Sequence, residues 1–136
     1  MMIRSGAVCV ALALAACATG SGPARDLADP AVQPLLTMPT PAYYATQTIA
    51  AQVTQNCARY RYDAELDSAM NERRNELGRG SLSANAQRGA IELETDVSQR
   101  SFTAKHGVAL QGADLCPAAD AEVLQGSLIS LMLVPV

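Results

Sequence analysis

Thr40-Pro41-Ala42-Tyr43-Tyr44-Ala45-Thr46-Gln47-Thr48-Ile49-Ala50-Ala51-Gln52-Val53-Thr54-Gln55-Asn56-Cys57 is the stretch whose reading sets the fold class. Proline suits the first turn of a helix, where its missing N–H would have had no partner, and threonine before it is a good N-cap. Ala45, Ile49, Val53 and Cys57 then recur every four residues, so one face of a helix over 41–57 is apolar. Cys57 falls at the inner edge of its C-terminal end.

Working outward, three more helical segments follow. Over 60–77, Tyr62, Leu66, Ala69, Met70 and Leu77 hold helical spacing, with Arg59, Arg61, Asp63, Glu65, Asp67, Glu72, Arg73 and Arg74 as the wet face. Gly78 suits the left-handed cap position after it. Over 83–106, Ala86, Ala90, Leu93, Val97 and Ala104 line one side, with Ile91 and Phe102 beside it. Lys105-His106-Gly107-Val108 is a stop signal: cations in the last turn, glycine for the cap, then an apolar residue. Cys116-Pro117 opens a fourth helix whose run Leu128-Ile129-Ser130-Leu131-Met132-Leu133-Val134 makes it the most buried, halted by Pro135. No alternating strand pattern of useful length is present. The reading is all-α: a compact bundle of about four helices over 40–136, joined by short turns. Gly89 and Gly126 fall inside these helices, where close helix approach would offset their cost.

Ahead of the domain, Gly20, Gly22, Pro23, Pro30, Pro34 and Pro39 break up residues 17–39, which read as a flexible tether reaching roughly 25 Å. Leu35 and Leu36 within it are apolar enough to dock on the domain.

The chain begins Met1-Met2-Ile3-Arg4, continues in an alanine-rich apolar run over 6–16, and reaches Leu14-Ala15-Ala16-Cys17. This resembles a bacterial lipoprotein signal, over 1–16, with small residues directly before the cysteine. The resemblance implies cleavage before Cys17 and lipidation of Cys17. It also implies anchorage in the cell envelope, at the outer membrane facing the periplasm, since Ala18 does not resemble an inner-membrane retention signal. The apolar run is too short to span a bilayer comfortably.

Processing changes the cysteine arithmetic. Of four cysteines, Cys9 leaves with the signal and Cys17 carries lipid, so Cys57 and Cys116 remain in an oxidising compartment. A Cys57–Cys116 disulfide would close a loop of about sixty residues, worth roughly 4 kcal/mol by chain entropy. The competing reading, a metal or redox pair, lacks a Cys-x-x-Cys and has only His106 to help it.

The composition is mildly acidic, with ten basic against thirteen acidic side chains before Arg4 is lost. Such a chain has no electrostatic reason to bind nucleic acid. No serine elbow, phosphate-binding glycine loop or metal-ligand cluster announces an enzyme or a cofactor. His106 reads as a helix-end residue facing the last carbonyls. Glu92, Glu94 and Asp96 read as a solvated face, with Asp96 able to pair with Arg100 four residues on. Tyr43 and Tyr44 are the candidate partner anchors; they point about 100° apart, so one can be core and one exposed.

Over 48–132 the pattern resembles an uncharacterised family of small exported two-cysteine helical proteins of alphaproteobacteria. The resembling features are Asn56-Cys57 ending a helix, the Ala104-Lys105-His106-Gly107-Val108 stop, and Cys116 before the last helix. No activity and no site residues come with it. The expectation is a non-enzymatic, lipid-anchored interaction or adaptor module with a protein partner in the envelope. A second expectation is an acid- or stress-responsive periplasmic chaperone, whose switch would be its paired carboxylates.

Overall fold

A computed structural model describes residues 25–136; the signal segment, Cys17 and residues 18–24 lie outside the described residues. The chain order is α1 (Gln33–Thr37), α2 (Thr40–Gln55), β1 (Tyr60–Tyr62), α3 (Ala64–Glu76), α4 (Ser81–Ala86), α5 (Arg88–His106), α6 (Cys116–Gln125), a 3-10 turn (Ile129–Met132) and β2 (Leu133–Pro135). The architecture is a mostly helical bundle with one disulfide, as the sequence predicts.

Helix α2 is the central rod. Helix α5 packs along it, and β1, α6 and the 3-10 turn also contact it. The predicted apolar face is the buried one: Ala45, Ile49, Val53 and Cys57 all lie in the interior, with Ala50 and Tyr43. The Thr40 side chain does not cap the helix. Its hydroxyl instead reaches the Arg79 carbonyl (3.4 Å) and the Ser83 hydroxyl (3.2 Å), fixing the turn between α3 and α4. The Cys57–Cys116 disulfide joins the end of α2 to the first residue of α6, with 4.8 Å between the two Cα atoms. Next to it, the Leu115 N–H donates to the Asn56 carbonyl (3.0 Å).

The segment expected to be tether up to residue 39 is part of the domain from Arg25 onward. Val32, Leu35 and Leu36 are buried in the main core. What fastens them is Arg74, expected on a wet helix face but fully buried. Its Nη1 donates to the carbonyls of Leu35 (2.7 Å), Leu36 (3.0 Å) and Met38 (3.1 Å), and its Nη2 to Met38 (3.1 Å). The guanidinium lies 4.1 Å from the centroid of the Tyr43 ring. These carbonyls are the unpaired C-terminal ones of α1, and a cation is favoured there. Arg25 adds a second clasp, from its Nη1 to the carbonyl of Leu131 (3.2 Å).

Three predicted helices begin, break or end differently: the one expected over 83–106 is two, α4 and α5, divided at Gln87, so Ala86 belongs to α4. Residues 60–62 are extended and pair antiparallel with β2, Tyr60 opposite Pro135, Arg61 opposite Val134 and Tyr62 opposite Leu133. The helix starts only after Asp63, whose Oδ1 accepts the Leu66 N–H (3.0 Å) as a side-chain cap. Helix α6 stops at Gly126, which takes a left-handed φ of 63°. Gly126 therefore ends a helix and does not serve close packing within one. Beyond it the apolar run divides between the 3-10 turn and β2, and Leu131 through Val134 are buried. Gly78 and Gly107 do occupy the left-handed cap positions expected of them.

Two outcomes test this architecture. Arg74→Ala strands several buried carbonyls and should cost about 3 kcal/mol in urea unfolding. Arg74→Lys should recover only part of that, because one ammonium cannot span the same fork of acceptors. Replacing both Cys57 and Cys116 by serine should cost about 2–4 kcal/mol, read as a lower thermal midpoint under non-reducing conditions.

Candidate functional site

Helix α5 is turned the opposite way from expectation. Its inner side carries half-buried Ile91, Thr95, Ser98 and Gln99 and buried Phe102. Gln99 Nε2 donates to Gln52 Oε1 (3.1 Å), so a polar contact joins α5 to α2. The predicted core stripe Ala86, Ala90, Leu93, Val97 and Ala104 faces solvent instead, with Leu93 65% and Val97 46% exposed. The period was right and the phase was wrong. Spacing identifies an amphipathic helix but not which stripe finds a partner inside the same chain. Gly89, expected to allow close helix approach, has open space beside it.

The stripe stands as a ridge between two clefts. One, of about 490 Å³, is bordered by Gln52, Asp96, Gln99, Thr103, Leu110 and Gln111. The other, of about 320 Å³, is bordered by Thr46, Glu94, Val97, Ser101, Lys105 and Glu122. Asp96 pairs with Arg100 on the ridge, and Glu92 and Glu94 add negative charge beside it.

The floor of the smaller cleft is a charge cluster that the sequence reading missed. Glu122, on α6, is 1% exposed. Its Oε1 accepts from Lys105 Nζ (2.7 Å) and from His106 Nε2 (2.6 Å). His106 therefore serves a carboxylate on another helix and not the carbonyls of its own. Its ring also lies 4.5 Å from that of Phe102. Burial alone would push the Glu122 carboxyl up. Hydrogen bonds from Lys105, Ser127 and His106 outweigh it and hold the group below the usual glutamate range. The cluster pins α6 to the end of α5. Its signal in the sequence was the adjacent pair Lys105-His106 ending a long helix, which calls for a carboxylate from elsewhere.

Of the two candidate anchors, Tyr43 is fully buried and Tyr44 half-buried, the rings meeting edge to face at 5.4 Å. Tyr43 belongs to the core and cannot reach a partner. Its hydroxyl donates to Asp67 Oδ1 (3.3 Å), which also accepts from Asn71 (2.9 Å), Gln47 and the Tyr62 hydroxyl. Burial raises the Asp67 carboxyl, and those donors only partly offset it. This network ties α2, β1 and α3 together, and its donors are committed to structure.

Cys57 and Cys116 are brought together as the disulfide, and Cys17 lies outside the described residues. Among the described residues no helix is long and apolar enough to cross a membrane. No group of three or more His, Cys, Asp or Glu side chains there could hold a metal ion. What the fold and surface define is a disulfide-stapled helical module with an outward apolar ridge. The chain matches no protein-family model, no curated protein and no solved structure.

Glu122 gives the site a pH signature. A carboxyl whose folded pKa is depressed adds stability that is fully present above its ordinary value of 4.5 and is lost as the pH falls through the lower folded value. Glu122→Gln should cost about 2 kcal/mol at neutral pH. It should also flatten the acid limb of a stability-versus-pH curve below pH 4.5, measured by chemical unfolding at each pH.

Proposed function

We propose that this protein is a non-enzymatic interaction module held in the cell envelope by a lipid on Cys17, at the outer membrane facing the periplasm. It is the tethered form of the small exported helical proteins that its sequence resembles. The observation that carries the reading is the outward stripe of α5. The helix turns half-buried polar Ser98 and Gln99 inward with Phe102 while Leu93 and Val97 stand exposed. The Cys57–Cys116 disulfide fits an oxidising compartment.

The ridge and its two clefts suit a helical segment of a partner protein, packed ridge into groove. Glu92 and Glu94 beside the apolar stripe favour basic residues flanking the partner's own stripe. Recognition of this kind needs no cofactor and no nucleic acid.

The second reading, an acid-responsive chaperone, draws on Glu122. Protonating it would release Lys105 and His106 and loosen α6 from α5. The two readings part in one experiment: in-cell crosslinking and purification of the lipidated protein at neutral and acidic pH. An adaptor captures one abundant partner at both pH values, and Leu93→Glu with Val97→Glu removes it while thermal stability stays within about 0.5 kcal/mol. Many clients captured only in acid would select the chaperone. The same partner captured undiminished by the double variant would reject the α5 ridge as the binding surface.

A further inference from the structure

A second exposed apolar patch lies away from α5, where the described chain begins. Arg25, Tyr60, Val123, Ser130, Leu133 and Pro135 border one cleft of about 260 Å³. No residue of α5 borders it. Around it Val136 is 85% exposed, Val123 is 39% exposed, and Leu124, next on α6, is 89% exposed. Arg59 and Tyr60 stand at the same edge: the Val136 N–H donates to the Arg59 carbonyl (3.0 Å), and the Tyr60 hydroxyl donates to Asp120 (2.9 Å).

The length of chain ahead of this patch decides what it meets. Arg25 is clasped to the 3-10 turn, and only residues 18–24 separate it from Cys17 in the sequence. Eight residue steps reach at most about 28 Å fully extended. A folded domain of about 110 residues has a radius of gyration of about 13 Å. The anchor therefore lies no more than about 28 Å from Arg25, less than the breadth of about 34 Å of such a domain. That is too short a leash for the domain to turn the Arg25 side away from the surface holding the lipid.

We infer that the face around Arg25, carrying Val123, Leu124, Pro135 and Val136 with Tyr60 and Arg59 at its edge, rests on the phospholipid surface. It thereby orients the module with the α5 ridge available to a partner. The chemistry agrees: exposed apolar side chains beside a tyrosine match the boundary between headgroups and acyl chains, with Arg59 paired to Asp120 (2.8 Å) at the rim. The inference rests on lipidation at Cys17.

The protein has no tryptophan, so a single introduced one reports its own surroundings. Val136→Trp, Val123→Trp and Leu93→Trp would each be made in the full lipidated chain. Each would be purified from membranes and reconstituted in phosphatidylethanolamine–phosphatidylglycerol vesicles with brominated acyl chains. Quenching several-fold stronger at 136 and 123 than at 93 is the expected result. Position 136 is exposed enough to keep the test valid if Val123→Trp disturbs the fold. Equal quenching at all three positions, or stronger quenching at 93, overturns the orientation while leaving the anchor intact. An intact mass without acyl chains, read before any vesicle is made, overturns the lipoprotein reading itself, and the orientation falls with it.

Discussion

A buried guanidinium with no carboxylate opposite it decides the extent of this domain. Arg74 neutralises its charge against the carbonyls of Leu35, Leu36 and Met38 and against the face of the Tyr43 ring. Such an arrangement is favourable only while every acceptor is in place, because the charge has no access to water. The acceptors belong to a short helix of five residues that could not persist alone. Arginine and helix thus depend on each other. With them go Val32, Leu35 and Leu36, a substantial share of a core that has only Phe102 and tyrosines for aromatic bulk. The disulfide fastens the opposite end of α2, and between these two fixings the central helix has little freedom to shift.

Under the proposed lipidation of Cys17, this clasp also changes the mechanics of anchoring. Read as sequence, residues 17–39 are a spacer that lets the domain stand off the membrane. With Arg25 and α1 docked, two thirds of that length is folded. A stand-off module would sample all orientations and search for a partner by diffusion of the whole domain. A closely held one has a fixed upper and lower side, and the two exposed apolar patches then acquire different tasks.

Where the sequence was legible, the physics was local or covalent. The four-residue spacing of Ala45, Ile49, Val53 and Cys57 fixes both a helix and its inward face, because α2 touches neighbours along its length. The glycines at 78 and 107 announce left-handed caps for steric reasons that need no knowledge of the fold. Cys57 and Cys116 pair as expected once the expected signal processing sets Cys9 and Cys17 aside. Where it was illegible, the outcome depended on partners distant in sequence. Tyr60-Arg61-Tyr62 becomes a strand only because Leu133-Val134-Pro135 lies beside it, although Asp63 was a visible cap that should have stopped the helix from being extended back. Arg74 looked like one more surface charge because nothing in its neighbourhood reveals three converging carbonyls. Glu122 was read as a favourable charge near a helix start, while the Lys105-His106 pair that claims it lies a loop away. The inversion of α5 is the most informative failure. Burying the apolar stripe is the default for an isolated domain, and its exposure here is the surface on which the proposed adaptor reading rests.

Buried Glu122 and half-buried Asp67 bear on whether acid is a signal here. They respond in opposite senses. Glu122 is held low by its donors, so acidification removes stability as it protonates. Asp67 is held high by burial, so its charged form is the costly one; stability falls as the pH rises through its folded value, and acid restores it. A protein built to open in acid would stack its carboxylates in the first sense. Here the group tying α2, β1 and α3 together resists acid, and only the α5–α6 staple yields to it. The disulfide still ties the first residue of α6 to α2, so the acid effect is confined to the contact of Glu122 with the end of α5. A response confined to one contact is what the proposed adaptor tolerates, whereas the proposed chaperone requires acid to expose far more apolar surface.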